Sequence, residues 1–407
     1  MNKALVTTIK LVLVAGLMFW VFRQVPFEDK LVFRTGKTTA ETRVVEIVGM
    51  WQADPIRFTQ TGGPIEQLPR GAQPDGRSLE IEPGFLTYWR NLDPLLFGLG
   101  AFCYFLTALI AGARWWWLLR VNGTDVSLWE TLRFTWIGIF FNIVMPGGTG
   151  GDVVKALYIM KRCPGHRVQV MVSVIVDRVL GLGSLALLGA LVVLFALDRF
   201  ALVAMGIWGV ILFVGLLGIV AFSKRLRSRV RLTWLLHRLP PRLAHVLRLI
   251  DNAVFFYRDH KVVIGASLLA GVGNHVISVA SVVFIGHALG IGLPTFEYYV
   301  LIPIVNIITA IPVMPNGWGI GEWTYQGLFA TYGAVHLTGV PAAVAAETMG
   351  TRGVALSVLY RLHLMLWSML GGLFVLFEKD RVTRADIERE AELERRDDDV
   401  EPPGSRG

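Results

Sequence analysis

The 407 residues are 54% hydrophobic and only 17% charged, with a mean hydropathy of +0.54. A soluble domain carries about 25% charged and 45–50% apolar residues; here the apolar excess gathers into runs of roughly 20 residues or more, long enough to cross a bilayer as helices. This excludes a soluble enzyme, a nucleic-acid module, a disordered chain and a disulfide scaffold, and argues against an outer-membrane barrel, whose strands alternate apolar and polar residues. The net charge of +8 has one source: Ser223 to Lys261 holds ten Lys/Arg against Asp251 and Asp259, so the remainder is neutral. A short basic loop of a membrane protein lies on the cytoplasmic side, so the charge is no nucleic-acid signal. Cys103 and Cys163 form neither a metal-ligand spacing nor a disulfide framework.

In chain order, residues 1–22 predict a first transmembrane span, apolar from 4 to 22; Arg23-Gln24-Val25-Pro26 follows where a signal peptide would carry small residues. Residues 23–92 carry nine basic and nine acidic residues with many turn formers. Runs such as Arg43–Val48 and Leu79–Glu82 predict a β-rich extramembrane insert. A span at 94–119 ends in Arg114-Trp115-Trp116-Trp117-Leu118-Leu119-Arg120, which reads as an interfacial anchor. A cation–π cage is the sharper alternative for those rings. Spans are expected at 169–197, 200–222 and 262–289, and an over-long one at 341–377. Within the basic loop 223–261, residues 242–257 have apolar positions at helical spacing. That stretch is expected to lie on the inner membrane face, attracted to anionic lipid. The tail 379–407 is highly charged, with no apolar period, and is expected to be loose.

Two glycine-rich segments resemble each other. Val144-Met145-Pro146-Gly147-Gly148-Thr149-Gly150-Gly151-Asp152 and Val313-Met314-Pro315-Asn316-Gly317-Trp318-Gly319-Ile320-Gly321-Glu322 share V-M-P-x-G-x-G, then Gly and an acid. Pro and Gly at membrane depth leave backbone groups unpaired, which is tolerated only inside protein or along a wet cavity. Each segment is therefore read as the tip of a re-entrant helix pair, 128–162 and 296–336, with two ordinary short spans as the alternative. Re-entrant pairs return to the side they entered from. With the N-terminus inside, every basic cluster then falls inside, and so does the C-terminus. The expected fold is an all-α polytopic membrane protein of two units, 93–222 and 262–378, each read as span–span–hairpin–span once the span before it is counted. The second unit is inverted relative to the first, a common transporter plan.

At these residues the chain resembles the lysylphosphatidylglycerol synthase transmembrane-region family, a flippase-like module. The resemblance covers roughly 94–378 and rests on Asn142-x3-Pro146-Gly147-Gly148-Thr149-Gly150-Gly151-Asp152-Val153-Val154-Lys155, then Asp177-Arg178. Its second-half counterpart is Pro312 to Glu322, followed by Arg352 and Arg361; Asn316 and Trp318 depart from the usual P-G-G-x-G, so the resemblance does not imply equal function for the two hairpins. The resemblance implies a bacterial inner-membrane protein that handles polar lipids and moves them between leaflets. Some members carry a soluble aminoacyltransferase after the membrane part. Here a short acidic tail follows, so that synthase activity is not expected.

The residues read as binding a lipid headgroup are Asn142, Gly147, Gly148, Gly150, Gly151, Asp152, Lys155, Asp177, Arg178, Gly317, Gly319, Glu322, Arg352 and Arg361. Asp152 and Lys155, three apart, share a helix face. A charge at the centre of a span costs about 2.5–3.5 kcal/mol on insertion scales, so Asp177 and Arg178 must find partners. These groups either serve the substrate or only lock helices together. They are expected to converge near the first tip, with Glu322 approaching from the second. Arg352 and Arg361 are candidates for a lipid phosphate, with Glu347 as an alternative partner of Arg361. Asn142 reads better as an amide satisfying the backbone. The glycine amides either hold a phosphate or merely permit the reversal. His275, His287 and His363 read as hydrogen-bond partners between helices. No catalytic residue, metal site or cofactor is expected, nor any nucleic-acid partner; homo-oligomerisation is compatible with such a chain. The competing readings are a lipid-modifying enzyme or accessory using Asp152 or Asp177 as an acid/base, and a scaffold that recruits a partner.

Overall fold

The computed structural model describes residues 27–144, 150–212, 257–309, 320–337 and 342–378, apart from positions 36, 37, 61, 75, 199, 202, 203, 210 and 258. The expected first span, most of span 200–222, nearly all of the basic loop and the charged tail lie outside the described residues. So do most of both glycine-rich tips, including Gly147, Gly148, Gly317 and Gly319.

The insert is built from six short antiparallel strands: β1 (Asp29–Thr35), β2 (Thr38–Ile47), β3 (Ile56–Thr59), β4 (Glu66–Leu68), β5 (Gly71–Ala72) and β6 (Ser78–Glu82). Their order in the sheet is β4-β3-β2-β1-β6-β5. Both strand-like runs seen in the sequence are strands. Side chains alternate as the pleat requires: Val45, Ile47, Ile56, Phe58, Leu79 and Ile81 are buried, whereas Val44 faces out. A short helix, α1 (Phe85–Arg90), closes the insert.

Buried Asp29 ties the insert together. Its Oδ2 accepts from the Ile47 amide and the Thr87 hydroxyl, both at 2.8 Å, and its Oδ1 from the Gly84 amide at 2.6 Å. Asp29→Ala should destabilise the insert by at least about 2 kcal/mol, because buried donors are left unpaired. Hydrogen exchange across Asp29–Glu82 should accelerate; wild-type protection there would contradict this role.

Among the described residues four helices are long and apolar enough to cross a membrane: α2 (Pro94–Val121), α5 (Arg167–Val193), α6 (Lys261–Ala288) and α9 (Ala342–Phe377). They match the expected spans at 94–119, 169–197, 262–289 and 341–377. Asp93 caps α2, its Oδ1 accepting from the amides of Leu95 and Leu96 at 2.9 and 3.0 Å. Between them sit shorter helices: α3 (Leu128–Val144), α4 (Gly150–Arg162), α7 (Thr295–Thr309) and α8 (Ile320–Leu328), the last extended by π and 3-10 turns to His336. The longest of them, α3, has 17 residues. It spans about 25 Å, short of a hydrocarbon core of about 30 Å. Ser127 and Glu130 form a reciprocal capping box at its start.

Helix packing follows a reciprocal pattern. The long helices α2 and α6 lie together, with the Ser281 hydroxyl donating to the Gly100 carbonyl at 2.7 Å. Helix α3 packs on α4 and on the distant α9; α7 packs on α8 and on the distant α5. At the α3/α9 crossing a Cβ on Gly371 would stand 2.0 Å from the Trp136 carbonyl oxygen, so only glycine admits that approach. The insert rests on this framework through β5 and β6 against α9 and through Gln52, which donates to the Leu289 carbonyl. One apolar cluster runs from the insert into the helices.

Candidate functional site

Helices α2, α4 and α5 bring five charged side chains together. Asp152, in the first turn of α4, meets Lys155 Nζ at 3.0 Å, and Lys155 reaches Asp177 on α5 at 3.8 Å. Asp177 is held more firmly by Arg114 of α2, whose Nε and Nη2 stand 2.9 and 2.8 Å from Oδ1. Arg178 pairs with Asp152. Adjacent residues on a helix point about 100° apart, so α5 presents Asp177 inward and Arg178 toward the surface. Lys155, Arg114 and Asp177 keep 8–11% of their side-chain surface exposed, whereas Arg178 keeps 41%. With three cations and two carboxylates, the cluster has a surplus positive charge on its exposed side.

Arg114 is the member the sequence reading missed. The run 114–120 does not act wholly as an interfacial anchor. Trp115 is fully buried, its indole donating to the Ser173 hydroxyl at 3.1 Å, and Lys155 Nζ lies 4.4 Å from its ring centroid. This cation–π contact is with a lysine of the chain itself, and Trp115 is too buried to form one wall of the ligand cage that was the sharper alternative. Of the three tryptophans only Trp117 keeps an anchor's exposure, 39%, beside the exposed Arg120. Arg114 sits seven residues inside the C-terminal end of α2, about 10 Å deep; that depth, more than composition, was the available signal. Gly271 makes room for its guanidinium: a Cβ there would stand 2.9 Å from Nη1. His275 of α6 ties that helix to α5, its Nε2 standing 3.0 Å from the Gly181 carbonyl oxygen.

The glycines and Asn142 shape the first hairpin's walls. The Gly151 amide donates to Asn142 Oδ1 at 2.9 Å, so this amide oxygen serves the backbone. A Cβ on Gly151 would stand 1.8 Å from the Gly138 carbonyl oxygen. Gly151 is therefore required for α3 and α4 to meet, and Gly150 opens α4. Gly151→Ala should lower stability by about 1–3 kcal/mol through overpacking. A thermal midpoint unchanged from wild type would contradict this contact.

A smaller counterpart forms in the second half. Glu322, in the first turn of α8, pairs with Arg361 of α9: Nε stands 2.7 Å from Oε1, although the N–H does not point squarely at the oxygen. Ser357 donates to the same oxygen at 3.3 Å. Here too a glycine precedes the acid, and a Cβ on Gly321 would stand 2.0 Å from Arg361 Nη2. Arg361 thus takes Glu322 as a partner, a pairing the sequence reading did not anticipate, since it left Arg361 to a lipid phosphate, to Glu347 or to the interface. Arg352 is not brought to this pair. Its Nη1 donates to the Ile291 carbonyl at 2.8 Å. Nine residues from Arg361, it lies about half a helical turn around α9. His363 is buried between the rings of Phe97, Tyr104 and Tyr360, while His287 Nε2 lies 3.1 Å from the Thr295 hydroxyl. Among the described residues no three His, Cys, Asp or Glu side chains gather as metal ligands would.

Long apolar helices with ion pairs buried between them define a multi-pass membrane protein. The chain belongs to the family described as the lysylphosphatidylglycerol synthase transmembrane region, which matches residues 84–370. It is also similar to a UPF0104 membrane protein of Pyrococcus horikoshii, 28% identical over 304 residues, which span 67% of this chain and 84% of that protein. No solved structure matches.

Proposed function

We propose that this protein is a flippase-like carrier that moves a polar or charged lipid headgroup between the leaflets of a bacterial inner (cytoplasmic) membrane. The observation that carries this reading is the charge cluster around Asp177. Ionisable groups at bilayer depth are costly and face either each other or a wet cavity. Four of the five are sequestered, while Arg178 offers an exposed guanidinium that pairs with Asp152 from one side. A phosphate-bearing headgroup would compete for that face, exchanging one charge-assisted hydrogen bond for another.

The reciprocal packing supports an inverted repeat. Exchanging the halves maps α2 onto α6, α3 onto α7, α4 onto α8 and α5 onto α9. The contacts α3–α9 and α7–α5 then exchange, as do α4–α5 and α8–α9. In each half a Gly-acid pair opens a short helix and meets an arginine of the following long helix. In this reading α3–α4 and α7–α8 are re-entrant pairs, with both termini in the cytoplasm and the insert outside. An enzyme using Asp152 or Asp177 as a base is less favoured, because both carboxylates are held by cations.

Orientation has its own test. On a background lacking Cys103 and Cys163, Glu66→Cys should react with an impermeant maleimide added from outside intact cells. Labelling from the cytoplasmic side alone would overturn the orientation and the inverted repeat together. The functional test is a labelled-lipid assay in proteoliposomes. Leaflet exchange without chemical change supports the carrier, and recovery of a modified lipid would support the enzyme.

A further inference from the structure

A cleft between the insert and α9 lies apart from both ion-pair clusters. Trp51 and Arg70 line it from the insert; Glu347, Thr348 and Thr351 line it from α9. Arg70 is held in place by backbone carbonyls: its Nε donates to Ala53 O at 3.0 Å and its Nη2 to Trp51 O, while its guanidinium carbon lies 5.8 Å from the Trp51 ring centroid. Those bonds leave Nη1 without a hydrogen bond among the described residues. Arg352, the residue after Thr351 on α9, lies outside the cleft lining but near enough for its charge to act on Arg70. Its Nη1 is used by Ile291, and its buried Nε has no acceptor among the described residues. The indole Nε1 of Trp51, a residue only 1% exposed, likewise has no acceptor among the described residues. An indole N–H and a guanidinium can only donate, so leaving them buried and unmatched is costly.

We propose that this junction is an anion site, with Arg70, Arg352 and Trp51 supplying N–H donors to a phosphate-type oxyanion. Arg70 and Arg352 meet Glu347 from α9 and Asp54 from the insert, whose Oδ1 accepts from the Arg70 amide at 3.0 Å, so the unmatched N–H donors, not a net charge, would draw the anion. Burial, and after it the charge of Arg352, pushes the Arg70 guanidinium down to about 10; a bound anion would relieve that repulsion. Helix α9 has 36 residues. It is about 54 Å long against a hydrocarbon core of about 30 Å. Counted back from Phe377, Arg352 lies beyond that core, where the insert meets the membrane surface. A lipid headgroup phosphate and a free phosphate can both reach such a position, and either would draw the insert onto α9.

The test is binding, so it does not depend on lipid transport. The unfolding midpoint of the purified full chain is measured in detergent with inorganic phosphate against chloride at matched ionic strength. It is then measured in nanodiscs of phosphatidylcholine with and without phosphatidylglycerol. The midpoint should rise with phosphate if the ligand is soluble, or with phosphatidylglycerol alone if it is a headgroup. Arg70→Gln should weaken the response about ten- to a hundredfold, and Glu347→Gln should strengthen it about fivefold by removing the opposing charge. No response to either anion overturns the proposal, as does a folded Arg70→Gln protein with an undiminished response. Should Arg70→Gln fail to fold, Glu347→Gln decides, and an unchanged or weaker response overturns the proposal.

Discussion

Arg114→Ala is expected to leave little folded protein. Arg114 is the principal partner of Asp177, with two guanidinium nitrogens within 3 Å of one carboxylate oxygen and Nη2 also 3.2 Å from the Asp177 carbonyl. Removing it leaves Asp177 with Lys155 alone, at 3.8 Å. Breaking a buried pair from one side costs about 3–5 kcal/mol, a large share of the 5–15 kcal/mol that holds a typical domain folded. Arg114→Lys should recover part of the loss, since it restores the charge but not the planar fork. Yield and thermal midpoint of the detergent-purified protein measure this. Wild-type stability in Arg114→Ala would mean that Asp177 is not held as described.

Asp152→Asn is expected to act differently, reducing lipid exchange at least about tenfold while the protein stays inserted and folded. The figure follows from losing one charge-assisted hydrogen bond, about 1.5–3 kcal/mol. The fold is spared because Lys155 keeps Asp177 and the Trp115 ring, and because Arg178 is exposed enough to be hydrated. Arg178→Ala should likewise depress exchange more than stability. In the proposed carrier neighbouring cations would divide the work: Arg114 holds the helices, and the more exposed Arg178 would meet the substrate. Transport by Arg178→Ala at the wild-type rate, measured in the same vesicles, would remove Arg178 from the proposed path.

The long helices were legible because each is an unbroken apolar run bounded by charge or turn signals, and the β-rich insert because runs such as Arg43–Val48 alternate. The sheet order was not legible. β1 pairs with both β2 and β6, and its pairing with β6 joins residues nearly fifty positions apart, which local pattern cannot encode. The convergence of Asp152, Lys155, Asp177 and Arg178 followed from the cost of isolated charge in a bilayer. That principle says a partner must exist without saying which. Arg114 was hidden by its aromatic neighbours, whose composition imitates an interfacial belt. Arg352 and Arg361 were grouped because they share one helix, yet their nine-residue spacing sets them on opposite faces. Asn142 and Gly151 acquire their roles only from the close approach of α3 to α4, a contact between backbones that side-chain chemistry does not announce.

The central claim is lipid translocation through the two Gly-acid sites, and the most direct measurement is leaflet exchange in proteoliposomes by wild type and by the Asp152→Asn/Glu322→Gln double variant. Each vesicle carries a labelled anionic lipid whose outer-leaflet fraction is quenched over time. The wild type should equilibrate the label between leaflets with the lipid chemically unchanged. The double variant, reconstituted at equal density and with a native unfolding profile, should approach the protein-free rate. Equal exchange by the folded double variant, or no exchange by the wild type above empty vesicles, would contradict the account.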